Sequence, residues 1–112
     1  MPNNIENVIN IFITEIEYVL GDRLKKIILY GSYARGDYSK TSDIDIMILT
    51  NFSEEEIEEY RDIVSDIAFE IELNNDVSLS PIIKNEEKFK KRIEYIPFYK
   101  NVEKEGVVLF ER

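Results

Sequence analysis

From Gly31 to Asp45 the chain reads Gly31-Ser32-Tyr33-Ala34-Arg35-Gly36-Asp37-Tyr38-Ser39-Lys40-Thr41-Ser42-Asp43-Ile44-Asp45, a Gly-Ser turn followed by two carboxylates one residue apart. Two ionised carboxylates about 4 Å apart repel by roughly 4 kcal/mol at an effective dielectric near 20, so they share either a proton or a cation. A hard divalent ion relieves that repulsion. Magnesium takes oxygen ligands and keeps several waters, which leaves places for phosphate oxygens to complete the shell. The chemistry these residue types suit is the holding of a nucleotide polyphosphate through a divalent metal.

Two strands must position this equipment. The apolar run Lys26-Ile27-Ile28-Leu29-Tyr30 stops at Gly31-Ser32, as a buried strand does when it delivers backbone N–H groups to a ligand at its carboxyl end. The segment Ser42 to Thr50 reads as a second strand. Side chains alternate at period two, so Asp43 and Asp45 share one face with Met47 and Leu49, while Ile44, Ile46 and Ile48 take the other. Apolar residues on both faces predict a covered strand whose polar start lies at the mouth of a core.

The rest of the chain supplies the frame. Asn3, answered by Glu6, is placed to cap a helix with the stripe Ile5, Val8, Ile9, Phe12, Ile16, Val19 and Leu20, stopped by Gly21. A short helix should open near Ser32, and Gly36-Asp37 and Ser39 to Ser42 should turn. Ser53-x-x-Glu56 is a capping box for a second long helix with the stripe Ile57, Tyr60, Val64, Ile67, Ala68 and Ile71. A third strand is expected over Val77 to Lys84, a charged helix over about Asn85 to Tyr95, a helix over Pro97 to Lys104, and a last strand after Gly106. No repeat or linker interrupts residues 1–112, which read as one domain. The order predicts an α/β fold with a small mixed sheet and flanking helices, and it lacks the glycine spacing of a dinucleotide-binding Rossmann unit.

Composition narrows the chemistry. Cysteine and histidine are both absent, so disulfides and thiolate sites are excluded and acid–base work falls to carboxylates, lysine, tyrosine or metal-bound groups. The apolar runs are too short to span a bilayer and nothing resembles a signal peptide, which predicts a soluble cytoplasmic protein away from membranes. A net charge of −9, from 14 basic and 23 acidic side chains, argues against direct binding of nucleic acid. The charge is uneven: residues 51–76 hold ten acids against Arg61 alone, and residues 84–104 hold seven basic side chains against four acids. Such runs serve as solvated helix faces or as docking surfaces for a protein of opposite charge.

The 31–45 segment resembles the signature of the DNA polymerase beta-like nucleotidyltransferase superfamily, and within it the minimal nucleotidyltransferase (MNT) branch, whose pattern is Gly-Ser-x-Ala-Arg-Gly, five residues, then Ser-Asp-x-Asp. Gly31, Ser32, Ala34, Arg35, Gly36, Ser42, Asp43 and Asp45 meet every defined position, a far more specific match than a lone glycine-rich loop. The ending Val102 to Phe110 resembles the family's closing helix, glycine and strand, so the likeness covers nearly the whole chain. It implies a polymerase-beta-like fold and a magnesium-dependent transfer of a nucleoside monophosphate from ATP or another NTP to a hydroxyl. In the MNT branch it further implies a bacterial or archaeal pair with a small helical HEPN protein, often an RNA-cleaving toxin, which the MNT protein silences as antitoxin, in some pairs by adding AMP to a tyrosine.

Residue by residue, Asp43 and Asp45 are the expected metal ligands and catalytic carboxylates. Gly31 permits close backbone approach and the Ser32 hydroxyl can bond a phosphate oxygen or cap the short helix. Arg35 either neutralises phosphate or pairs with Asp37, and Ser42 either orients Asp43 or fills the turn. Tyr33 and Tyr38 pack the loop or stack on a nucleotide. The superfamily usually adds a third carboxylate from the adjoining strand. Asp76 is the acid available there, as third metal ligand or general base, and it reads equally as a turn residue after Asn74-Asn75. If Ser78 or Ser80 holds that position, a competing function follows: a weak or inactive nucleotide-binding antitoxin that acts by protein contact.

Overall fold

A computed structural model describes residues 2–112, and its four strands form a single mixed sheet. Strands β1 (Leu24–Tyr30), β2 (Ile44–Thr50), β3 (Leu79–Asn85) and β4 (Val107–Glu111) lie in the order β3-β2-β1-β4. β1 runs antiparallel to both β2 and β4, and β2 runs parallel to β3. Five helices flank them: α1 (Asn3–Leu20), α2 (Ser32–Arg35), α3 (Glu54–Asn74), α4 (Glu86–Arg92) and α5 (Pro97–Glu105).

Alternation along β2 divides the interior in two. Ile44, Ile46 and Ile48 meet Phe12 and Ile16 of α1 and Ile57 and Val64 of α3. Met47 and Leu49 meet Ile28 and Tyr30 of β1, Phe89 of α4, and Tyr99 and Val102 of α5. With apolar side chains on both faces, β2 is covered on both, as a strand followed by a helical crossover to a parallel neighbour requires. No helix among the described residues is long and apolar enough to cross a membrane.

Local signals decide most boundaries. Ser53 and Glu56 form the reciprocal capping box at the head of α3, and Gly21, at φ 56°, ends α1. The start of α1 differs from expectation: Pro2 is the cap residue, with no side-chain cap bond, and its carbonyl accepts from the N–H groups of Ile5 and Glu6, both at 3.1 Å. Proline's fixed φ already sets the extended geometry a cap needs, so the helix begins one residue sooner and absorbs Asn3. α4 stops at Arg92, short of the expected Tyr95, and Asn85 caps it through a 3.0 Å bond from the Lys88 N–H. Ser42 and Asp43 precede β2 instead of opening it, and β3 begins at Leu79, two residues later than expected.

Candidate active site

Antiparallel and parallel pairings together bring four chain segments to one end of the sheet. Tyr30, the last residue of β1, stands opposite Asp45 near the start of β2, and Asp45 stands level with Ser80 near the start of β3. Leu29 pairs with Val107, so the end of α5 arrives beside Gly31. The Gly31-Ser32 turn, the carboxylate pair and two segments remote in sequence thus share one rim.

Gly31 adopts φ 76° and ψ −156° and accepts the N–H groups of Ala34 and Arg35 at 3.1 and 3.0 Å, closing α2 onto the strand. A Cβ on Gly31 would run into Asp45 Oδ2 and stand 3.1 Å from Asp45 Cγ. The missing side chain therefore makes room for the second carboxylate. Gly31 is the cap of α2, without any side-chain cap bond, and Ser32 is the first helical residue. That leaves the Ser32 hydroxyl outside the capping role.

Asp43 is exposed and Asp45 half-buried. Burial pushes the Asp45 carboxyl above its ordinary range, the Asp43 charge adds to this, and the Arg35 charge opposes both. Tyr30, buried beneath the pair, has its phenol pushed up to about 12 by burial and then by the Asp45 charge. The pair is short of positive charge and offers only hard oxygen donors, which fits a divalent ion such as magnesium. Among the described residues no three acids are grouped to hold a metal by themselves.

The other expected site residues separate into two groups. Arg35 stays at the turn: its Nε donates to Asp37 Oδ2 and its Nη1 to Glu105 Oε1, both at 3.1 Å. Ser42 accepts the Ser39 N–H at 2.8 Å and returns its own N–H to the Ser39 carbonyl at 3.2 Å, so it closes the loop. Asp76 lies in a bend ahead of β3. It lines a cavity of about 670 Å³ with Tyr33, Tyr38, Ser39 to Ser42 and Ser78, and is not brought into a group with Asp43 and Asp45. Tyr33 and Tyr38 stack on each other, with ring centroids 4.5 Å apart. The Ile44 N–H donates to the Ser78 carbonyl at 2.8 Å, so the β3-side neighbours of the carboxylate pair are Ser78 and Ser80.

Two contributors had no signal in the motif. Glu105, at the end of α5, reaches Gly31 and Arg35 across 74 and 70 residues of sequence. Phe98, half-exposed, sets its ring edge-on to Tyr30 with centroids 5.5 Å apart. The turn, the carboxylate pair and the sheet that joins them agree with a comparison of the sequence to known families, in which residues 9–109 match the one described as "Nucleotidyltransferase domain". The chain belongs to the nucleotidyltransferase family.

As a nucleotidyltransferase it is 39% identical over 107 residues to "Putative protein adenylyltransferase MJ0604" of Methanocaldococcus jannaschii, covering 96% of this chain and 99% of that protein. The crystal structure of a nucleotidyltransferase so designated from Sulfolobus solfataricus is similar over 100% of this chain and 90% of its own, with TM-score 0.60 and 25% identity. A toxin–antitoxin crystal structure with AMP-PNP shares the fold over 99% of this chain and 75% of its own, at TM-score 0.60 and 18% identity. The nucleotidyltransferase fold expected from the motif is the fold observed, a small mixed sheet between helices.

Proposed function

We propose that this nucleotidyltransferase transfers AMP from ATP to a hydroxyl of a partner protein, releasing pyrophosphate, and that it serves in the cytoplasm as antitoxin to a small helical HEPN-type toxin. The observation that supports the reading is the Asp45 carboxylate seated against Gly31, beside the Gly-Ser turn. Asp43 and Asp45 hold magnesium together with the triphosphate. The Gly31 N–H and the Ser32 hydroxyl bind the β and γ phosphates, and Arg35 offsets their charge. Bound magnesium would neutralise charge developing on the α-phosphoryl group and hold the triphosphate in line. Support for a protein acceptor comes from the relative named as a protein adenylyltransferase, and support for a toxin partner from the toxin–antitoxin fold neighbour. The net charge of −9 suits a protein partner better than RNA or DNA.

The test is mass spectrometry of the partner that co-purifies with the chain, after incubation with magnesium and each NTP in turn. A gain of one adenylate with ATP, absent with Asp45→Asn, is the expected result. A second reading is favoured by Ser78 and Ser80 standing where a third carboxylate would complete the site: the chain binds nucleotide and silences its partner by contact. Silencing with no mass gain would establish that reading.

A further inference from the structure

The proposed transfer reaction makes no use of the Glu105 side chain, which reaches the Gly31 turn from the end of α5. A single oxygen, Oε1, accepts from the Gly31 N–H at 3.3 Å and from Arg35 Nη1 at 3.1 Å. A backbone N–H at a glycine turn and a guanidinium converging on one anionic oxygen is the arrangement that otherwise receives a phosphate oxygen. We infer that Glu105 is an internal occupant of the phosphate subsite, holding those two donors in the free protein until the triphosphate takes them from it. This rests on the reading of Gly31-Ser32 as the phosphate turn.

Charge makes the two occupants exclusive. A carboxylate and a triphosphate oxygen cannot both sit at the Gly31 N–H, and held side by side they repel. Glu105 is tethered at the junction of α5 and β4, where Gly106 follows it and Val102 one turn earlier is buried in the core. It therefore competes at a fixed, high local concentration, and the apparent affinity for nucleotide falls by the fraction of molecules in which it occupies the subsite.

The experiment is calorimetric titration with inorganic tripolyphosphate and with ATP, each with magnesium, of wild type, Glu105→Gln and Gly31→Val, each checked for folding by its melting curve. Glu105→Gln keeps the size of the side chain and removes the charge, and should bind both ligands about fivefold or more tighter. Gly31→Val should bind neither. Binding of Glu105→Gln that equals or falls below wild type, with Gly31→Val still inactive, would leave the phosphate turn standing and overturn the inference, making Glu105 a brace for Arg35. Normal binding by Gly31→Val would overturn both. In wild type, addition of tripolyphosphate should shift the Gly31 amide and the Glu105 side-chain carboxyl resonances together; a Glu105 carboxyl that does not move also overturns the inference.

Discussion

The Asp45 carboxylate occupies the space that a Cβ would fill at Gly31. The glycine of the turn thereby does two things: it takes a φ of 76° with ψ near the extended limit, a region essentially confined to glycine, and it admits the Asp45 carboxylate beside the turn. Gly31→Ala should lower stability by about 1–3 kcal/mol from backbone strain alone and should displace Asp45. Thermal melts and magnesium-ATP titration of the same variant check the two effects, and an unchanged melt with unchanged binding would refute both.

Neutralising Asp45 should separate stability from binding. In chelator the Asp45 charge is held against burial and against Asp43, so Asp45→Asn should melt no lower than wild type. Magnesium with ATP should raise the wild-type melting temperature and leave Asp45→Asn unmoved. A chelator-insensitive ATP affinity in wild type would remove the metal from the site.

Asp76 should be dispensable for nucleotide. It lines a cavity with Tyr33 and Tyr38 and forms no metal-holding group with Asp43 and Asp45, so Asp76→Asn should keep magnesium-ATP affinity within about twofold, less than about 0.5 kcal/mol. An acid placed on the β3 side, as Ser78→Asp or Ser80→Asp, should instead strengthen magnesium binding, because it adds a hard ligand level with Asp43 or Asp45. Calorimetry on the three variants decides, and a large loss in Asp76→Asn alone would return Asp76 to the site.

The far end of the sheet carries a pH-dependent clamp. Arg23 donates to both oxygens of Glu56, at 3.0 and 2.9 Å, and lies 4.5 Å from the centroid of the Phe52 ring. The Arg23 bond, with the Ser53 backbone N–H, pulls the Glu56 carboxyl from 4.5 down to about 2. A depressed carboxyl binds its proton less tightly when folded, so its stabilisation is complete above pH 4.5 and drains away as pH falls through 2. Melting curves should show wild type above Glu56→Gln near neutrality, with the gap closing as pH falls from about 4 towards 2.

The sequence alone carried the motif, the two-faced burial of β2 and the order of the elements. These are legible because each depends on residues close along the chain: strand alternation sets Asp45 and the isoleucines of β2 on opposite faces, and Ser53 with Glu56 closes a cap within one turn. The start of α1 departs from the expected Asn3 cap for a local reason, proline competing with asparagine for one cap. Only tertiary structure decided that Asp76 lies in a bend ahead of β3, that Ser78 and Ser80 take the β3 side, and that Glu105 reaches the turn. Those outcomes follow from the parallel register of β3 on β2 and from the antiparallel return of β4 beside β1. Register is set by which apolar faces the two cores can bury together, a sum over residues far apart in the chain, and no spacing within one segment records it.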